Sequence, residues 1–303
     1  MSKVSVPPGA PAPARRSSGW LWLLATFALL VLVGVLGTWL QPDVLFEGQG
    51  SFASVEVVEH RDGLRELTFD GGPARQSALY PDDPLRLVLP YSRTAMIGPA
   101  LVAPDARMLF VGLGGGAMPR FVHATHPAAR IEVAEIEPLV VQAARDWFGF
   151  ETDARMQVHT TDGRAFIEAA DPGRWDLIVL DAFAEDGVPD ALTTREFLEA
   201  VQRALAPGGV VASNLHTAVD EYPGMVATYQ AVFEQVVEVD VSGRRQRILL
   251  AAGAMPVLTE GALAEAARAW EGRIGVELGL PAEIVAGFRV PDARGAAVLV
   301  DGS

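Results

Sequence analysis

The 303-residue chain has no cysteine, which excludes disulfides and thiolate chemistry and leaves the redox compartment unmarked. It is short of positive charge. Against 24 Lys and Arg stand 38 Asp and Glu, a formal net charge of −14. Neutralising nucleic-acid phosphates takes clustered cations, so no nucleic-acid partner is expected. A cationic or neutral small molecule suits such a surface. The five histidines, His60, His123, His126, His159 and His216, lack metal-ligand spacing. His123 and His126 stand three apart on a predicted helix with no third ligand beside them. They are expected on its surface, and no metal is expected. His216, just past a predicted strand, is a minor candidate for a substrate pocket. There is no internal repeat.

Between Arg16 and Asp43 charge is missing altogether. Residues 1–18, rich in Pro, Ala and Ser, are expected to form a disordered tail. The run "GWLWLLATFALLVLVGVLGTWL" follows. About 20 apolar residues cross the hydrocarbon layer, so 19–41 is expected to be a transmembrane anchor, with membrane contact through residues 20–40. Trp20, Trp22 and Trp39 near its ends suit interface anchors. A signal peptide would have a shorter apolar core and a better cleavage site than "LGTWLQPD". Lys3, Arg15 and Arg16 precede the anchor, and Asp43, Glu47, Glu56 and Glu59 follow it. The positive-inside rule therefore puts the domain on the far side from the cytoplasm.

Residues 42–100 read as a small β-rich unit, with Asp62–Gly63 as a hairpin turn between alternating segments. From 101 to 253 strands and helices alternate. "RMLFVGLG", "RIEVAEIE", "MQVHTTD", "WDLIVLD" and "GVVASNLH" are strands. Helices are predicted at 119–125, 138–148, 163–170 and 193–206. This pattern gives βαβ units, and the apolar strands fit a sheet covered on both faces. The hairpin "VVEVDVSGRRQRILLAAG" should add one antiparallel strand at an end of the sheet. Residues 254–303 read as a helical extension.

The glycine loop in "LFVGLGGGAMPR" carries the first site signal. Gly112, Gly114 and Ala117 fit the G-x-G-x-x-G/A pattern, and Glu135 falls about 20 residues on. Such a loop can cradle a pyrophosphate, lie against a nucleoside without phosphate, or form a tight turn with no ligand. Glu135 is placed to accept hydrogen bonds from ribose hydroxyls. Asp162–Gly163 ends the third strand and Asp181 the fourth, and "LAPGG" leads into the fifth.

Together with the terminal hairpin, this set resembles the spermidine synthase (polyamine aminopropyltransferase) family, in particular its membrane-linked bacterial branch. That family lies on the class I S-adenosylmethionine-dependent methyltransferase fold. The resemblance runs from about residue 50 to 253 through "LTFDGGPARQS", "LPYSRTAM" and, most specifically, "WDLIVLDAFAEDGVPDALTTREFL". It implies a Rossmann-like α/β domain and a co-substrate, S-adenosylmethionine or its decarboxylated form, with a small-molecule amine as acceptor. It allows a homodimer and implies a bacterial inner membrane. By resemblance Asp181 is the catalytic base, assisted by Tyr91. Gln76 contacts the nucleoside, Gly112, Gly114 and Gly115 form the loop around it, Glu135 holds the ribose, and Asp162 with Gly163 holds the adenine.

Several positions depart from the family. Gly115 replaces an aspartate that grips the aminopropyl ammonium, Ala184 a second aspartate, Ala53 a glutamine, and Thr94 stands where an acid is expected. Glu185, Asp186 and Asp190 are nearby acids that suit either substitutes or a solvated loop. Without the aspartate at 115 the loop is expected to discriminate little between the two co-substrates, or to favour the intact one. Aminopropyl transfer, methyl transfer on the same fold, and a non-catalytic nucleoside- or polyamine-binding domain all follow from these residues.

Overall fold

The computed structural model describes residues 41–72, 75–183 and 187–302, with scattered positions between 20 and 30. The expected tail lies outside the described residues, as does most of the expected anchor. Among the described residues no helix is long and apolar enough to cross a membrane. The chain divides into Met1–Pro42 and Asp43–Ser303, and the second unit holds all that follows.

Its first strands are β1 (Asp43–Gln49), β2 (Ser54–Glu59), β3 (Arg65–Phe69) and β4 (Arg75–Leu79). They form an antiparallel sheet in chain order. The turn between β2 and β3 closes as the Asp-Gly pair predicts. Gly63 takes φ +83°, and the His60 N–H donates to the Leu64 carbonyl at 2.8 Å. Alternation buries Val55 and Val57 on one face of β2. Two short helices follow, α1 (Pro90–Thr94) and α2 (Ile97–Ala100), the first opened by a proline that needs no N–H partner there.

The main sheet has eight strands. In chain order they are β5 (Arg107–Val111), β6 (Arg130–Glu135), β7 (Met156–Thr160), β8 (Trp175–Leu180), β9 (Leu205–His216), β10 (Gln235–Asp240), β11 (Gln246–Ala252) and β12 (Phe288–Arg289). Across the sheet the order is β12-β10-β11-β9-β8-β5-β6-β7, with β9 to β7 parallel. Helices form at all four predicted stretches: α3 (Ala117–Thr125), α4 (Pro138–Trp147), α5 (Gly163–Glu168) and α6 (Arg195–Ala204). They are joined by α7 (Tyr222–Val232), α8 (Glu260–Ile274) and α9 (Leu280–Gly287).

Successive side chains of β5 go to opposite cores. Met108 and Phe110 join α1–α4, α8 and α9 on one face, while Leu109 and Val111 join α5–α7 on the other. Each fully buried large apolar side chain stabilises the fold by about 1.5–3 kcal/mol.

Three expectations need correction. The sheet edge carries two strands that run against the rest, not one: β11, the one the hairpin predicts, inserts between β9 and β10, and β12 pairs outside β10, while β10 itself runs with the parallel strands. The C-terminal extension is helical only through α9, and residues 290–302 are irregular. His126 is not on a helix surface. It caps α3, is buried, and its Nε2 accepts from the Trp270 Nε1–H of α8 at 2.9 Å. Burial holds its pKa below the ordinary value. His123 does stand at the periphery, with Asp153 at 3.0 Å from its Nε2.

Candidate functional site

The carboxyl ends of β5, β6, β7 and β8 meet at one edge, where an open α/β sheet binds its ligands. Gly112 leaves β5 with φ +96°, and a Cβ there would lie 2.4 Å from the Asp181 carbonyl oxygen. Only glycine lets the loop come so close to the end of β8. The Asp181 N–H donates to the Val111 carbonyl at 2.9 Å, which fixes the same junction from the other side.

Glu135 ends β6 and is buried. Its two carboxylate oxygens accept the N–H groups of Leu113 and Glu137, both at 2.9 Å, so it pins the glycine loop. Burial raises its pKa, and these backbone hydrogen bonds oppose that. Each oxygen keeps lone-pair capacity for a ribose hydroxyl. Next to it Ile136 is exposed and offers apolar surface to a purine ring. Asp162 caps α5 by accepting the Ala165 N–H at 2.7 Å. A Cβ on Gly163 would meet Val111 Cγ1 at 2.5 Å, so this glycine seats α5 against β5.

Asp181 is half-buried just beyond β8. Its carboxylate accepts from Asn214 Nδ2 at 2.9 Å. The Tyr91 hydroxyl from α1 lies against the same carboxylate and 3.5 Å from the Gln76 carbonyl of β4. Desolvation pushes the Asp181 pKa up to about 7, against the pull of the Asn214 and Tyr91 hydrogen bonds. Burial and the neighbouring carboxylate hold Tyr91 well above the usual phenol range, so it stays a donor.

Asn214 and its partner Gln246, whose Nε2 donates to Asn214 Oδ1 at 3.4 Å, were not singled out from the sequence. The available signal was one amide near the end of the apolar strand "VVASNLH". Above this pair the rings of Phe183 and His216 meet edge-on at 5.1 Å. Burial lowers the pKa of His216.

The structure thus brings Asp181, Tyr91, the Gln76 backbone and the glycine loop together, with Glu135, Asp162 and Gly163 along the same edge. Gly115 has its own constraint. A Cβ there would lie 2.9 Å from Ser77 Oγ and 3.0 Å from the Phe148 ring. Thr94 is buried, and its hydroxyl donates at 2.9 Å to Glu283 of α9, so an acid arrives beside it from the C-terminal extension. Asp190 is exposed on a 3₁₀ turn. Ala184, Glu185 and Asp186 lie outside the described residues.

A model of the spermine/spermidine synthase domain matches residues 91–240. A polyamine aminopropyltransferase of Vibrio vulnificus (strain CMCP6) is 32% identical over 216 residues, which cover 68% of this chain and 72% of the relative. A solved structure of a probable spermidine synthase from Corynebacterium glutamicum ATCC 13032 superposes with a TM-score of 0.70 at 23% identity. It covers 85% of this chain and 96% of the other. Human methyltransferase-like protein 13, solved in complex with SAH, gives a TM-score of 0.57 at 29% identity, covering 62% of this chain and 93% of the other. The fold is therefore α/β and Rossmann-like, of the methyltransferase type, with a mostly parallel sheet and a small antiparallel N-terminal sheet.

Proposed function

The chain belongs to the spermine/spermidine synthase family, and from that premise we propose that it moves an aminopropyl group from decarboxylated S-adenosylmethionine to an amine of a polyamine. The observation that carries the mechanism is the Asp181 carboxylate, held between Asn214 and Tyr91 with its pKa raised to about 7.

In the reaction the acceptor nitrogen attacks the carbon joined to the sulfonium. The N–C bond forms as the C–S bond breaks, and sulfur leaves with the electron pair as a neutral thioether. The leaving group needs no acid. The acceptor does need a base, because an amine with a pKa near 10 is protonated at neutral pH. Moving its proton to Asp181 is uphill by roughly three pKa units, about 4 kcal/mol. An unperturbed aspartate near 3.9 would leave about 8 kcal/mol to climb. Burial of Asp181 thus removes about half of the proton-transfer cost. Asn214 and Tyr91 aim the carboxylate, Glu135 and Ile136 suit the ribose and base of the nucleoside, and the glycine loop suits the chain attached to sulfur.

Incubating the protein with putrescine and each co-substrate, with mass spectrometry of the products, tests this reading. A mass gain of one aminopropyl group supports it. Methyl transfer from intact S-adenosylmethionine would support the second reading, which Gly115 favours by lacking the aspartate. Transfer of neither group would leave a binding domain. The apolar run 19–41 supports a tethered transferase, which protease treatment of intact cells and lysates would test.

A further inference from the structure

Asp181 lies just past the end of β8, Asn214 within β9 and Gln246 at the start of β11, on three adjacent strands. Each stands two positions from a residue of one core, Val179, Ala212 and Ile248, against which Tyr91 also packs. Alternation therefore puts all three side chains on the same face of the sheet. Gln246 is level with His216, and Asn214 is level with Ile248, so Gln246 and Asn214 are diagonal neighbours. Diagonal positions are about 7–8 Å apart, a gap that takes a long side chain to cross. Gln246 crosses it, and its Nε2 donates to Asn214 Oδ1 at 3.4 Å. Its own carbonyl accepts the Val241 N–H at 3.1 Å, which ties its backbone to β10.

The polarity of this row is fixed from one end. An asparagine amide has a donor end and an acceptor end of nearly the same shape. An ionised carboxylate only accepts, so Nδ2 of Asn214 must face Asp181, and it donates there at 2.9 Å. Oδ1 then faces β11 and needs a donor, which Gln246 supplies. Turned over, Asn214 would present Oδ1 to Asp181, and only the protonated acid could bond it.

We propose that Gln246 is a positioning residue for the transfer reaction: its amide holds Asn214 in the orientation that offers Asp181 a donor. The inference rests on the aminopropyl-transfer reading. It requires no contact between Gln246 and either substrate. Without the Gln246 donor the two orientations of Asn214 come closer in energy, and the inverted one favours the protonated acid. The other ionisable groups around this row are Tyr91 of α1, against Asp181, and His216 of β9, against Phe183. Glu283 of α9 is bonded by Thr94, Arg247 is paired with Glu238 and Asp240, and Arg244 and Arg245 are exposed at the hairpin tip. The variants below leave all of them in place.

The test uses the full chain with Gln246→Met, Gln246→Glu, Asn214→Ala and the two double variants. Methionine keeps the length without charge or amide. In Gln246→Met the acidic limb of kcat/KM for the acceptor should move up by about half a pH unit, so that kcat/KM at pH 6 falls about threefold. At pH 9 it should stay within about twofold of wild type, because an ionised Asp181 orients Asn214 by itself. Gln246→Glu accepts and cannot donate once ionised, so it inverts Asn214 and should move the limb up by about one pH unit or more. In the Asn214→Ala background Gln246→Met should move the limb no further, and Gln246→Glu less than it does alone, because the residue acts through Asn214.

An unmoved limb in Gln246→Met, an equal loss at pH 6 and pH 9, or an undiminished shift in the Asn214→Ala background would overturn the proposal and leave Gln246 a structural tie. If wild type transfers no aminopropyl group at all, the functional reading fails instead. The proposal is then read without turnover, from the carboxyl carbon-13 resonance of Asp181 in labelled protein, assigned by its loss in Asp181→Asn. A titration midpoint higher by about half a pH unit in Gln246→Met supports it, and an unmoved midpoint refutes it.

Discussion

Asn214 Nδ2 donates to the Asp181 carboxylate at 2.9 Å, across adjacent parallel strands. The register makes this pairing unavoidable. Leu180 stands opposite Ser213, so Asp181, one past the end of β8, falls level with Asn214, still inside β9. Replacing Asn214 with alanine removes a hydrogen bond to a charged group, worth about 1.5–3 kcal/mol. The acidic limb of kcat/KM should move up by one pH unit or more, since 1.36 kcal/mol is one pKa unit. A pH–rate profile in which the limb stays in place would remove Asn214 from the mechanism.

Asp181→Asn should separate activity from stability. The folded pKa of about 7 lies above the ordinary 3.8, so between about pH 4 and 7 the native state holds the extra proton. The stability this group contributes is complete below about pH 4 and is lost as pH rises through 7. At pH 8 the buried charge is a cost that asparagine lacks, while the Asn214 bond keeps an oxygen acceptor. Turnover should fall on the order of 10²-fold or more. The Tm should rise by a few degrees at pH 8, with a smaller gain at pH 5. Calorimetry at both pH values checks this, and a lower Tm at pH 8 would contradict it.

Gly115→Asp would restore the charge that the family carries, but the space is taken. The new Cβ needs Ser77 Oγ or the buried Phe148 ring to give way. Overpacking of this kind costs typically 1–3 kcal/mol. The single variant should therefore lose stability whatever it does to co-substrate choice. Combining it with Ser77→Ala, which removes the nearer atom, should recover part of the loss. Denaturant midpoints of the two variants decide the matter.

His126 should make the fold acid-sensitive. Its folded pKa is below 6.5 because burial disfavours the charged ring. The stability it contributes is complete above 6.5 and is lost as pH falls toward the folded value. His126→Gln should flatten the fall in Tm between pH 6.5 and 5. An unchanged slope would assign that fall to other groups.

The sequence exposes what repeats and hides what meets only in space. The apolar strand runs and the glycines between them announce a parallel sheet, because a sheet covered on both faces leaves no other pattern. β12 could not be read in advance, since two residues carry no period. Asp181 and Tyr91, 90 positions apart, were paired through resemblance alone. The Thr94–Glu283 bond spans 189 positions and joins an unremarkable threonine to one of many glutamates. His126 was misplaced for the opposite reason. Local helical geometry put it outside, and the C-terminal helix carrying Trp270 then covered it.

An antiparallel strand begins where its parallel neighbours end. β11 starts at Gln246, level with His216 at the finish of β9, and so β11 arrives by its first residue at the edge that carries Asp181. The hairpin tip between β10 and β11 stands over the same edge, where Thr217 N–H donates to the Arg245 carbonyl at 2.9 Å. Residues 242–245 at this tip are exposed, while Val241 beside them is buried in the core. The fold thereby sets an exposed hairpin tip beside the strand ends that carry Asp181 and Asn214, with the buried strands beneath.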